Sequence, residues 1–509
     1  MLQVELDNGA FELEIPLPGG LPQGHTGIGV LSGDTVDLAE LAIEGVARTP
    51  RVSIVGHTAY ADGDQTANIL TGSRAAFKPG SGVSLAELTS GWDGAGHHGE
   101  FEWPLVIRRH ADGPVVNAAG DLFEFRMIES DGQLPVAGAV GRVRLSIPAG
   151  HLGGTFVETP GRIGPWQARN GDLYFIMEPT ETDNRFMMMK SVDGGRSWQE
   201  VDGANRPATG DLESVDSRLV DGRIEIIHQV TRSVRRHVFH TSDHADRPDR
   251  WVIRDEIAAQ DEAIAQTTSM AVRSDGSTVV FYLADRLHYV MRGVDGEWSA
   301  PVEIDPQAAF INTGPQAAAG RDDIVHFAYF SDDGSIWYRR LLPDGTLTAR
   351  ERLAQGAGNG RAEYGAVLPL AYDAETDVVL IIYRLEDGTL WERRVGPGAT
   401  LGEPELVTAH HVITDAVDSQ QPAADIVIHG DRASVLFVDE ESRSILGATH
   451  ADGAWQTPQL LVQNILGSWV RGNILRQPDG KLVYGFVYDA GSDGGAGMNR
   501  YAEIPLTSR

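Results

Sequence analysis

With 509 residues, 41% of them hydrophobic and 22% charged, the chain has the make-up of a folded protein and the length for two or three cores. Its formal charge of −30 disfavours nucleic acid and anionic membranes as partners. The absence of cysteine excludes disulfides, thiolate metal sites and a cysteine nucleophile. No run of 18 apolar residues is present, so membrane insertion is not expected, and Met1–Asp7 lacks the basic and apolar regions of a secretory leader. The expected location is a virion or cell surface reached without a Sec signal, or alternatively the cytoplasm. Basic residues are almost all arginine, with lysine only at Lys78, Lys190 and Lys481.

Residues 1–148 read as a β-rich module. Phe11–Ile15 alternates apolar and acidic side chains, the period-two pattern of a strand with one buried face, and Leu122–Met127 and Arg142–Ile147 repeat it. Phe101–Ile107 is a further strand, which Pro104 should confine to an edge or a bulge because it has no amide donor. Asp37–Ile43 fits a helical turn or a strand equally. Together these features predict a β-sandwich-like module over 1–148, followed by a glycine-rich linker over 149–157.

From 158 to 509 the pattern becomes periodic at roughly 50 residues, a repeat length typical of propeller blades. Asp333-Gly334 followed by Trp337 and Asp387-Gly388 followed by Trp391 are near-copies, one repeat apart. Asp295-Gly296 with Trp298 and Asp452-Gly453 with Trp455 are shorter relatives. Apolar and aromatic runs precede these turns at Val279–Tyr282, Val325–Tyr329, Val379–Tyr383 and Ala433–Phe437. The order predicted for each repeat is a buried inner strand, an aromatic strand, an Asp-Gly hairpin and a Trp-bearing outer strand. One blade cannot bury both of its faces, so the blades must close into a ring. Boundaries near 158–204, 205–257, 258–304, 305–354, 355–407, 408–463 and 464–507 give seven blades; dividing 205–257 differently gives six. The predicted fold is all-β throughout.

One hairpin carries a specific pattern. After Arg185–Lys190 comes Ser191-Val-Asp193-Gly-Gly195-Arg-Ser197-Trp198, which reads as a turn of positive φ with Asp193 bonding local backbone and Trp198 folding back to seal it. The spacing resembles the Asp-box of the sialidase-like (BNR-repeat) β-propellers at Ser191, Asp193, Gly195, Ser197 and Trp198. In that family the box is a structural hairpin away from the catalytic face. The resemblance therefore implies a propeller over about 158–507 and no particular reaction.

Side chains just ahead of propeller inner strands converge on one mouth of the channel, a natural ligand site. Here they are Arg162 and Trp166; Glu213, Asp216 and Arg218; Gln266, Thr267 and Thr268; Asn312, Thr313 and Gln316; Arg361, Glu363 and Tyr364; Asp418, Gln420 and Gln421; and Trp469, Arg471 and Asn473. Planar amide, carboxylate and guanidinium groups match sugar hydroxyls, and indole faces stack on sugar rings. The glycan-binding set predicted is Arg162, Trp166, Glu213, Arg361, Gln421, Trp469 and Arg471. The competing reading is that the polar members only solvate the channel and that both tryptophans belong to the core.

Two enzymatic readings come from resemblance. Arg162-Ile163-Gly164-Pro165 resembles the sialidase Arg-Ile-Pro motif with a glycine inserted. That family's clamp of three arginines on a carboxylate has counterparts in Arg162, Arg361 and Arg471. Its glutamate-activated tyrosine nucleophile has counterparts in Glu363 and Tyr364, although neighbours in a strand point to opposite faces. The ring is also similar to ulvan-lyase-type BNR propellers, which implies a base at Tyr364, His410 or His411 and Arg361 to neutralise a uronate carboxylate. No metal-hydrolase ligand motif is recognised, so no metal site is expected. Asp489–Gly495 is composed either to hold calcium or simply to close the last blade. With no complete catalytic constellation, the expected function is recognition of a polysaccharide or cell-surface glycan. Residues 1–148 would then dock the propeller onto other virion proteins, as in a phage tail or head fibre. A glycan-degrading enzyme is the alternative, and the sequence leaves catalysis open.

Overall fold

Seven β-sheets follow one another along residues 166–506, each a meander of strands hydrogen-bonded in chain order. The computed structural model describes the strands between residues 2 and 146 as backbone, Leu152, and residues 161–506 except 179–184, 197, 202–205, 210–211, 247–248, 262–266, 309–314, 357–367, 414–422, 431, 464, 466–468 and 490–498. The innermost strands are Trp166–Gln167, Leu212–Val220, Thr267–Val272, Gln316–Ala319, Leu370–Asp373, Ala424–His429 and Val470–Arg476. They mark blades 1 to 7 of a β-propeller. Five blades are four-stranded, blade 6 carries an additional short strand, and blade 7 has three strands among the described residues. The described residues hold no α-helix, and no helix is long and apolar enough to cross a membrane.

The N-terminal region contributes nine strands joined in one hydrogen-bonded path. Its first strand, Leu2–Asp7, lies parallel to its last, Val140–Ser146, so the region is tied end to end. Asp37–Ile43 falls within the strand Val36–Glu44. Pro104 is not on an edge strand: Trp103–Arg109 pairs parallel with Ile28–Leu31 and antiparallel with Leu122–Met127. The antiparallel ladder starts at Leu105, and the missing amide donor falls before it.

The second strands explain the apolar runs. In Val378–Arg384 of blade 5, Val379, Ile381 and Tyr383 pack towards blade 4, while Leu380 and Ile382 pack towards blade 6. Alternate side chains thus serve two different interfaces, and a strand covered on both sides has no polar face. The tryptophans Trp337 and Trp391 sit on third strands, Ser335–Leu341 and Leu390–Val395, rather than on outer ones. The Asp-Gly signature serves two connections: Asp333-Gly334 and Asp387-Gly388 join second to third strands, whereas Asp295-Gly296 and Asp452-Gly453 follow the third strand.

Among the described residues no ladder joins one blade to the next, and side chains bridge the inner strands. Asp216 Oδ2 accepts Met270 N–H at 2.8 Å, Ser269 Oγ accepts Ala317 N–H at 3.1 Å, and Asp425 Oδ2 accepts Gly472 N–H at 2.7 Å. Each links one inner strand to the next. Gly161 passes so close to Asp216 that a Cβ would lie 2.6 Å from its carboxyl carbon, so only glycine fits. The ring closes through Gln167, whose amide donates to Arg476 O at 2.8 Å and accepts Arg476 N–H at 2.7 Å, an imitation of a strand pair between blades 1 and 7. Leu152 is fully buried and donates its N–H to Asn499 O in blade 7. Farther out, Lys190 binds Asp249 at 2.7 Å and Asp172 at 2.9 Å, joining blade 1 to blade 2. Burial alone would lower its pKa; the two carboxylates hold it above the usual lysine range.

Three imidazoles are buried as neutral groups. Burial, aided by Arg235, pushes His228 down to about 3. His237, bonded to His228 at 2.6 Å, lies well below the ordinary value through burial and the charges around it, and burial takes His326 to about 4. The unfolded chain takes up protons near pH 6.5 that the fold refuses, so stability should fall as pH drops below that value. From pH 6.5 to 5 the three together should remove on the order of 4 kcal/mol. Denaturant midpoints across that window measure it; a constant or rising midpoint would contradict neutral burial.

Candidate functional site

The hairpin at Ser191–Trp198 has the positive-φ glycines and the folded-back tryptophan its sequence predicts. Ser191 Oγ accepts Gly195 N–H at 2.8 Å and donates to Asp193 Oδ1 at 2.8 Å, so the acid orients the serine that holds the turn. Trp198 is fully buried and its indole N–H donates to Gly195 O at 3.0 Å. Gly195 has φ +88°, and a Cβ there would strike Tyr501. Ser197 lies outside the described residues. The hairpin packs blade 1 onto the outermost strand of blade 7.

The structure divides the predicted channel set. Arg361, Glu363, Tyr364 and Gln421 lie outside the described residues, as do the Glu213 side chain and residues 490–495 of the candidate calcium loop. Trp469 is fully buried and stacks on Phe175 at 6.3 Å, so its face is not open to a sugar. Trp166 is 8% exposed and bonds Ser217 Oγ at 2.9 Å. His411 is exposed, while its neighbour His410 pairs with Asp439 at 3.1 Å.

The two described arginines of the expected clamp are already occupied. Arg162 donates to Leu370 O at 2.9 Å and Ile426 O at 3.1 Å, reaching from blade 1 across the channel to blades 5 and 6. Arg471 is buried and donates to Ala424 O at 2.7 Å; burial lowers its pKa to about 10, against the opposing pull of Asp425. Both guanidiniums flank Asp425 Oδ1, at 3.8 and 4.0 Å. The carboxylate they hold is the protein's own. Arg218 makes a second strut, from Asp216 at 2.6 Å to Ala317 O of blade 4 at 2.8 Å. Below these struts, towards the hairpin ends of the inner strands, lies a largely apolar cavity of about 320 Å³ lined by Val220, Val272, Ala319, Tyr372 and Ile428.

A larger concavity, about 990 Å³, is the groove between blades 7 and 1 on the hairpin face. Its walls are Gln167, Arg169 and Asn170 from the first hairpin of blade 1, Asp193 and Arg196 from the Ser191–Trp198 turn, and Arg476, Gln477, Tyr501 and Glu503 from blade 7. Arg196 and Arg476 are exposed, and Glu503 accepts from both Gln477 at 2.6 Å and Tyr501 at 3.0 Å. Guanidiniums outnumber carboxylates among these side chains, the reverse of the balance over the whole chain. Sequence reasoning did not find this groove, because its walls come from opposite ends of the propeller sequence and meet only at ring closure.

No family model matches the sequence, and no curated protein matches it. Solved structures of similar shape include the BP39L lectin of Burkholderia pseudomallei, with a TM-score of 0.48, 12% identity, and coverage of 71% of this chain and 99% of the lectin. An ulvan lyase superposes with a TM-score of 0.45 at 10% identity, over 70% of this chain and 94% of the lyase. BBS1N, solved in complex with ARL6DN, gives 0.42 at 9% identity, over 71% and 98%. These likenesses are remote, and the propeller assignment rests on the seven sheets themselves.

Asp216 is fully buried and accepts five hydrogen bonds, three from backbone N–H groups and one each from Arg218 and Ser269. Asp216→Ala would strand all of them, and unfolding free energy should drop by about 3–5 kcal/mol in chemical denaturation. A loss below about 1 kcal/mol would refute its role as the stitch between blades 1, 2 and 3.

Proposed function

We propose that the protein is a carbohydrate-recognising β-propeller whose ligand lies in the groove between blades 7 and 1. The observation that carries this reading is the groove's lining: amide, guanidinium and carboxylate groups with one phenol, held on two rigid blades. Sugar hydroxyls donate and accept at once, and planar side chains satisfy them in pairs. A volume of about 990 Å³ admits more than one sugar ring. In a chain of charge −30, Arg196 and Arg476 supply local positive potential, while Arg169 pairs with Asp221 at 3.3 Å; this favours a saccharide bearing carboxylate or sulfate. The N-terminal module would fix this propeller to a larger assembly, such as a virion that meets a host-surface polysaccharide.

Titration against a panel of neutral, uronate-containing and sulfated polysaccharides, following both binding and product, tests the reading. Binding without turnover is expected, preferring the acidic glycans and weakening at raised salt. Arg196→Ala and Arg476→Ala should each lower affinity roughly tenfold, about 1.4 kcal/mol, with little effect on the melting temperature. Retention that both variants leave unchanged would move the site to the opposite mouth of the channel. Release of unsaturated or reducing ends would instead identify a glycan-degrading enzyme.

A further inference from the structure

At the outer rim, equivalent positions of two blade junctions carry opposite chemistry. In blade 2, Arg236 on the third strand pairs across the ladder with Glu256 on the outer strand. In blade 3, Arg292 bridges to Trp298. Three of these side chains converge on the fourth: Glu256 accepts from Arg236 at 2.7 Å, Arg292 at 3.0 Å and Trp298 at 2.8 Å, and Arg236 also binds Glu225 at 2.9 Å. Every position has a counterpart where blade 5 meets blade 6. Glu392 pairs across the ladder with Glu405, and His450 pairs with Trp455. The register is the same, but both arginine positions have changed, one to glutamate and one to histidine.

That exchange takes the cation from both positions and leaves two carboxylates directly opposed on neighbouring strands, an arrangement that is destabilising by itself, with Arg394 as a cation beside Glu392. Glu392 is 1% exposed; its Oε1 accepts from Arg394 Nε at 2.9 Å, while Oε2 has no hydrogen bond of normal geometry. His450, 5% exposed, places Nε2 3.8 Å from Glu405 Oε2. One donor atom from each of Glu392, Glu405 and His450 lies within 4.8 Å of the others. We propose that Glu392, Glu405 and His450 form a binding site for a first-row divalent cation of the zinc class, which bridges blades 5 and 6.

Two carboxylate oxygens and one imidazole nitrogen make a borderline donor set that suits zinc, whereas calcium and magnesium prefer oxygen alone. Arg394 orients the Glu392 carboxylate, as an outer-shell partner does in metal sites. Glu405, with its side chain 41% exposed, is the route by which the ion enters and leaves a fourth position for water. The ion would do at this junction what Arg236 and Arg292 do at the other.

The test is calorimetric titration of the metal-stripped full chain with Zn²⁺, with Ca²⁺ as the contrasting probe. Co²⁺ absorption on the unmodified protein provides a readout that needs no variant. One equivalent of Zn²⁺ should bind and raise the melting temperature, and Co²⁺ should show the visible bands of a four- or five-coordinate nitrogen–oxygen site. Glu405→Gln and His450→Gln should each weaken Zn²⁺ binding on the order of 100-fold. The double variant Glu405→Gln with His450→Gln removes two of the three ligands and should bind no Zn²⁺. Sub-stoichiometric binding, a purely octahedral aqueous-type Co²⁺ spectrum, or unchanged affinity in both single variants would overturn the proposal. Preference for Ca²⁺ over Zn²⁺ would do the same.

Discussion

Adjacent blades of this propeller splay apart from a common axis, so their innermost strands cannot share a ladder. Every exposed inner edge must nonetheless find partners, because a buried N–H left alone costs about as much as a lost hydrogen bond. Here the answer is a short polar side chain on one inner strand that accepts from the backbone of the next: Asp216, Ser269 and Asp425. Two of the three are buried carboxylates, and buried carboxylates require cations. Arg218 and Arg162 meet that requirement, and because their side chains are long they also reach carbonyls of distant blades. The channel is consequently crossed by arginine struts, with a small apolar cavity beneath them and the roomier polar groove displaced to the rim.

Much of this architecture was legible in the sequence. Runs such as Val379–Tyr383 carry no period-two polarity, and the structure shows why: each side chain faces one blade or the other. The repeat length and the Asp-Gly turns placed seven blades in register. What misled was assigning one meaning to one signature. The same dipeptide serves connections on both faces of the ring, so Trp337 and Trp391 fell one strand away from their expected places.

The candidate site was less legible, and the reason is again the ring. Arg162 and Arg471 both flank Asp425, which lies in another repeat and has no local pattern to announce it. Gln167 looks like any surface glutamine until Arg476 arrives beside it. The rim junctions are more instructive still. Comparing Arg236 with Glu392, or Arg292 with His450, requires the register of each blade, and only the structure supplies it.

The closure of blade 7 onto blade 1 also sets an order of events. Gln167 and Arg476 are 309 positions apart, and joining them in an unfolded chain would cost about 5 kcal/mol of chain entropy. Two hydrogen bonds cannot offset that. Once the intervening blades have formed and stacked, the same ends are held close and the gap becomes short. Ring closure, together with the burial of Leu152 against blade 7, is thus the last step in building the propeller rather than its nucleus. Until then blades 1 and 7 each present an uncovered apolar face, which makes the open ring the state most exposed to association with other chains.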